Sequence, residues 1–274
     1  MFESVLHPMI RYFGLVSWLL LPIALIQAVA VRRRTPRLSP PPGRTIGEEG
    51  HGAPPRFRLL VVGDSSAAGL GAAHMEETLA PKLARRLAAR FSCAVAWRTA
   101  GANSATTEEL RDYVVPHIAR EPFTHIVILA GTNDMKNYLS RRRFDNGFGG
   151  LLFALHARWP EATLIWSPII DMRTVPALPA PLGAILELRA RMLNALGEQL
   201  CRERFTIMAP RLAAHDREGF AIDGFHASAK GYGYWADLLA DEVEEAEGRR
   251  ARGLYPVEDT AGETPLPDLA MLGE

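Results

Sequence analysis

Leu59-Leu60-Val61-Val62-Gly63-Asp64-Ser65 is an apolar run that stops on a glycine and two small polar residues. Four consecutive apolar residues bounded by turn formers read as a strand buried on both faces, the mark of a parallel sheet with helices on either side. The chain alternates outward from this run. Strands are expected at 57–63, 93–99, 125–131, 162–168 and 205–209, and helices near 76–91, 106–120, 144–158, 183–203 and 228–246. This alternation predicts five parallel strands covered on both faces, because each crossover helix must bury one side against the sheet. Ligands of such sheets sit beyond the carboxyl ends of the strands, where the strand order reverses. With the order 2-1-3-4-5, Ser65 at the end of the first strand and Gly131-Thr132-Asn133-Asp134 at the end of the third flank that crevice.

The 274 residues hold 31 basic and 31 acidic side chains, so no net field points to nucleic acid, and the basic residues lack interleaved aromatics. Only Lys82, Lys136 and Lys230 are lysines; the other cations are arginines, an imbalance that reads as composition bias. Cys93 and Cys201 each border an apolar run and read as ordinary thiols, with no disulfide framework.

Phe13 to Val31 carries no charge over nineteen residues and is followed by Arg32-Arg33-Arg34. That length approaches the roughly 20 residues that cross a bilayer core. The reading is a single-pass membrane anchor over 1–34, with the arginines and the domain behind them on the cytoplasmic face. The alternative is export after cleavage near Ala28-Val29-Ala30. Residues 35–55, rich in Pro and Gly, are expected to form a linker, 56–248 the α/β domain and 249–274 a flexible tail.

Three places carry the chemistry. Ser65 is the candidate nucleophile, with Ser66 one residue away as its rival; a helix-capping turn is the plain structural alternative. Asp223 stands three residues before His226, so one turn brings the carboxylate to one ring nitrogen and leaves the other for a serine. Asn133 follows the apolar strand from His125 to Ala130, where its amide can donate to an oxyanion or merely close an Asx turn. There is no Gly-x-Ser-x-Gly elbow, P-loop or His-Glu-x-x-His, and Gly69-Leu70-Gly71 lacks the third glycine of a dinucleotide fingerprint.

Together these blocks resemble the GDSL, or SGNH, hydrolase family of esterases and lipases. Gly63-Asp64-Ser65-Ser66 matches its first block, Gly131-Thr132-Asn133-Asp134 its third, and Asp223 with His226 its last, continued by Gly231, Tyr232 and Trp235. The resemblance spans about residues 57–245. It implies a flavodoxin-like three-layer α/β/α fold, metal-free and cofactor-free hydrolysis of carboxylic esters, and a Ser65-His226-Asp223 triad. The implied oxyanion hole joins the backbone N–H of Ser65, that of Ser104 and the Asn133 side chain. Ser104 departs from the family, which usually places a glycine there; Gly101 is the fallback if the loop is shifted by three residues. Ala227 stands where a proline often follows the histidine.

The implied substrates are small-molecule or lipid acyl esters, with lysophospholipids, carbohydrate O-acetyl groups and thioesters as variants. The proline-bearing loop Asp171 to Leu182 is a candidate wall of the crevice. A membrane-tethered binding module that lost the reaction is the alternative from another class. Oligomeric state is not legible.

Overall fold

A computed structural model of the chain describes residues 12–213 and 216–252. One sheet runs in the order β1 (Ile46–Glu49), β3 (Val95–Gly101), β2 (Phe57–Gly63), β4 (His125–Leu129), β5 (Thr163–Ser167), β6 (Ile207–Met208). β2 to β6 are all parallel, in the expected 2-1-3-4-5 arrangement, and β2 lies between β3 and β4. The opening run then explains itself. Successive side chains alternate across a strand, so Leu60 and Val62 join the core on one face while Leu59 and Val61 join that on the other.

Five helices pack around this sheet: α2 (Leu79–Phe91), α3 (Thr132–Lys136), α4 (Arg141–Arg158), α5 (Ala180–Glu203) and α6 (Ala229–Ala251). Leu83 and Leu87 of α2 and Leu239 and Val243 of α6 cover one face; Phe148 and Leu152 of α4 and Leu193 of α5 cover the other. The result is the three-layer α/β/α arrangement.

Three expectations need correction. The sheet has a sixth strand: β1, inside the stretch read as linker, pairs antiparallel with β3. It has no continuous apolar run because it is an edge strand, and a Cβ on Gly47 would lie 2.7 Å from the Trp97 indole it crosses. The helix expected at 106–120 is instead a capped turn at Thr107–Glu109, a loosened turn at Leu110–Val114 and a tight one at Val115–His117. Pro116 cannot donate the hydrogen bond that would continue it. The tail begins later than expected, since α6 runs to Ala251; residues 253–274 lie outside the described residues.

The N-terminal stretch read as an anchor is bent, and its two helices meet the length and composition of a span only together. Among the described residues no single helix is long and apolar enough to cross a bilayer. The uncharged stretch forms two helices, Tyr12–Leu19 and α1 (Leu21–Arg34), bent by 65°. Pro22 supplies the break, because it lacks an N–H and its ring collides with the preceding turn. One side of the pair lies against α5. Ser17 is fully buried, accepting a hydrogen bond from Arg189 Nη1 at 3.3 Å, and a Cβ on Gly14 would meet Met192 Sδ at 3.1 Å. Arg189 also donates to the carbonyls of Met135 (3.3 Å) and Leu139 (2.7 Å), and its guanidinium stacks 4.2 Å from the Tyr138 ring centre. This buried cation joins the N-terminal helices to the segment that follows β4. Residues 1–11 of the expected anchor lie outside the described residues.

His125, at the start of β4, is 1% exposed, and burial pushes its imidazole down from 6.5 to about 3, helped by Arg250 and Arg56. Folding therefore favours the neutral ring. That contribution is complete above the unfolded value of 6.5 and is lost as pH falls towards 3, on the order of 5 kcal/mol in total. Urea unfolding between pH 7 and 4 should show a steep loss of stability, and His125→Leu should flatten it; equal slopes would refute this origin.

Candidate active site

The turn after β2 is held from three sides. Asp64 N–H donates to Leu129 O (3.0 Å), and a Cβ on Gly63 would lie 2.2 Å from that same oxygen. Gly101, at the end of β3, approaches so closely that a Cβ would lie 2.0 Å from Ala68 N. From the far side the buried Tyr232 hydroxyl, on α6, donates to Leu70 O at 2.8 Å. Asp64 Oδ1 accepts the Ser66 N–H at 3.0 Å, closing a small loop around Ser65. Among the described residues the Ser65 N–H has no protein partner.

Asp223 organises the second segment in the same way. Its Oδ1 accepts the backbone N–H groups of Phe225 (2.9 Å) and His226 (3.0 Å), and its Oδ2 lies 2.5 Å from His226 Nδ1. The carboxylate partner fixes the tautomer: Nδ1–H donates to Asp223, leaving Nε2 as an acceptor. Nε2 stands 3.1 Å from Ser65 Oγ. Burial alone would raise the Asp223 carboxyl; the hydrogen bonds from His226 and from the two backbone amides outweigh it and hold the group below the usual carboxylate range. Ser65, His226 and Asp223 are thus brought together in a continuous relay, and Ser66 is turned into the Asp64 loop instead.

The remaining predicted residues are placed less simply. Asn133 opens α3, and its Nδ2 donates to Ala105 O at 2.9 Å and to Asp64 Oδ2 at 3.2 Å. Ser104 borders the cleft beside Asn133 and His226, and its N–H has no protein partner among the described residues. Its φ is +66°, in the left-handed region that favours glycine, so the position keeps the backbone of a glycine with a Cβ attached. Gly101 packs against the Ser65 turn at the end of β3. Asp134 was not singled out from sequence. It is fully buried, accepts from Thr107 Oγ1 (2.6 Å) and N–H (3.1 Å), and ties the Ala102–Thr107 loop to α3; burial pushes its carboxyl up to about 6.

Two cavities meet at this relay. The inner one, bordered by Ser65, Ser167, Ile169, Met172 and Trp235, has a volume of about 90 Å³. The outer cleft, about 690 Å³, opens between the relay and α1. Asn133, Lys136, Phe225 and His226 border both. The loop after β5 is fastened from below: Asn194 bonds both the N–H (3.0 Å) and the carbonyl (2.8 Å) of Ile169. Buried Glu187 accepts from Met172 N–H (3.1 Å) and from Arg211 (2.7 Å). No group of three or more potential metal ligands occurs among the described residues.

A serine at the carboxyl edge of a parallel sheet, bonded to a histidine that a buried carboxylate orients, is the apparatus of acyl transfer. The GDSL-like Lipase/Acylhydrolase family matches residues 61–234, and the chain belongs to it. It is accordingly a carboxylic ester hydrolase. A GDSL-like esterase of Mycobacterium tuberculosis is 26% identical over 243 residues, which cover 80% of this chain and 75% of that one. The fold is shared with the psychrotrophic esterase EstA of Pseudoalteromonas sp. (TM-score 0.55, 17% identity, 70% of this chain and 98% of that one). It is shared equally with a family 3 carbohydrate esterase of Clostridium thermocellum (TM-score 0.56, 15% identity, 70% and 98%).

The strain at Ser104 is testable. Ser104→Gly keeps the backbone N–H and removes the left-handed Cβ cost. After the extra freedom of glycine in the unfolded chain is subtracted, it should gain about 0.5–1 kcal/mol in urea unfolding with turnover retained. A destabilised Ser104→Gly would contradict this account.

Proposed function

We propose that the chain is a membrane-associated serine esterase that hydrolyses acyl esters through a Ser65-His226-Asp223 triad. The observation that carries this reading is the unbroken relay from Asp223 Oδ2 through His226 to Ser65 Oγ, at 2.5 and 3.1 Å. Ser65 Oγ attacks the ester carbonyl carbon while His226 Nε2 takes its proton. Asp223 stabilises the imidazolium without accepting that proton. The C–O bond breaks as Nε2 returns the proton to the leaving alcohol. Water then attacks the acyl-enzyme by the same route, releasing the acid and regenerating Ser65.

The tetrahedral oxyanion needs donors that are fixed before it forms. The Ser65 and Ser104 N–H groups, both without a protein partner among the described residues, and Asn133 Nδ2 fit that role. For Asn133 the 3.2 Å contact to Asp64 is the longer of its two and the one that yields to the oxyanion, while Ala105 O keeps the amide oriented. The complete relay disfavours a binding module without chemistry.

The form of membrane association that the exposed residues of the helix pair support is interfacial. Leu15, Leu19, Ile23 and Ile26 are 47–75% exposed on the side of the helix pair turned away from the domain, and exposed Arg32, Arg33 and Arg34 follow. An apolar face flanked by cations suits a helix pair lying in the interface of a bilayer, at the anionic cytoplasmic leaflet. In sedimentation with phosphatidylglycerol vesicles the full chain should pellet, and raised salt should weaken binding. Leu19→Ser with Ile26→Ser should leave the protein in the supernatant; vesicle binding that survives the double change would overturn this placement.

The triad is tested on p-nitrophenyl acetate. Ser65→Ala should lower kcat by roughly 10⁴-fold or more, and Asn133→Ala by roughly 100–1000-fold with KM little changed. Turnover that persists in Ser65→Ala sinks the assignment.

A further inference from the structure

The N-terminal helices were expected to stand apart from the catalytic domain, yet α1 forms one side of the outer cleft. Ala24, Leu25, Ala28 and Val31 border it, facing Leu182 and Leu186 at the start of α5. The same cleft is bordered at its inner end by Asn133, Ser104 and His226, so it is continuous with the position where an ester carbonyl would sit. Ala24 and Val31 are about 10 Å apart along the helix. The cleft's volume of about 690 Å³ falls within the range of small-molecule sites, whereas the inner cavity of about 90 Å³ holds only a short group.

We propose that α1 is part of the substrate site: it forms the wall against which the acyl chain of a medium- or long-chain ester lies, with the carbonyl at Ser65. This rests on Ser65 being the nucleophile. Size and lining favour this direction, since the outer cleft is the larger of the two and its α1 side is apolar. The wall is held in place by Arg189, whose bonds reach Ser17 on the preceding helix and the carbonyls of Met135 and Leu139 on the segment that begins with Asn133. One buried cation therefore sets the position of the chain-binding wall relative to the oxyanion amide. The apolar outer face of the same helix pair meets lipid, which brings the cleft alongside the source of acyl chains.

The experiment uses the full chain and p-nitrophenyl acetate, butyrate, octanoate and decanoate below their micellar concentrations. Ala28→Trp puts a ring into the cleft, and Leu25→Asp makes its wall polar. Each should lower the ratio of decanoate to acetate kcat/KM by about tenfold, the effect of keeping roughly two methylenes out of an apolar site. Val29→Ser, on the same helix but away from the cleft, should keep the wild-type ratio. Because Ala28 and Leu25 are both exposed, neither change disturbs the core. An unaltered ratio in both variants overturns the proposal. Decyl acetate is assayed alongside, and an effect confined to it also overturns the proposal, because it would place the leaving group along α1. Failure of the underlying reading looks different: wild-type enzyme that turns over every ester equally well as Ser65→Ala.

Discussion

Two pieces of chain 161 residues apart must be held within hydrogen-bond reach, and several of the tightest contacts in the molecule bear on that constraint. Neither piece lies in a strand or a long helix. The Ser65 turn is fixed by backbone packing, with Gly63 against Leu129 and Gly101 against Ala68, positions where no side chain fits. The Asp223–His226 turn is fixed by one carboxylate that bonds two backbone amides and the imidazole. Tyr232 couples the two: it sits one turn into the helix that follows His226 and reaches back to Leu70 and Ser66. Burial makes that coupling stiff, because a buried hydroxyl deprived of its acceptors costs about 1–3 kcal/mol.

The same economy appears in how carboxylates are divided. Asp223, Asp64, Asp134 and Glu187 are all buried, and each closes a loop at the carboxyl edge of the sheet. Only Asp223 faces an imidazole. Asp64 and Asp134 are pushed upward by burial and spend their oxygens on amides and hydroxyls, so they shape the site without entering the proton relay. Environment, rather than residue type, separates the carboxylate that orients a base from those that hold loops.

What could be read from the sequence follows from locality. The central strands β2, β4 and β5 announce themselves because strands buried on both faces are mostly apolar, and Ser65, Asp223 and His226 because their spacing within a turn is chemical. β1 was missed because an edge strand with alternating exposure resembles a polar linker. The bend at Pro22 has a local cause, a proline inside the uncharged stretch. The left-handed Ser104 could not be read from its residue type, which gives no hint of φ. Asp134 with Thr107, and Arg189 with Ser17, are pairs separated by 27 and 172 residues; such partners exist only once the fold brings them together.

β1 has a consequence for how the protein can be cut. The family match begins at residue 61, and a boundary set by the Pro- and Gly-rich stretch would begin near residue 56. Either cut removes Ile46–Glu49 and leaves β3 with a full row of unsatisfied N–H and carbonyl groups along the margin of the sheet, beside Trp97. β1 is short, carries Glu48 and Glu49, and presents little to pair with. Stripped of it, the catalytic domain acquires a sticky seam along which copies can zip together. The residues ahead of the family domain are therefore a selvedge that covers the margin of the sheet, quite apart from anything they do at a lipid surface.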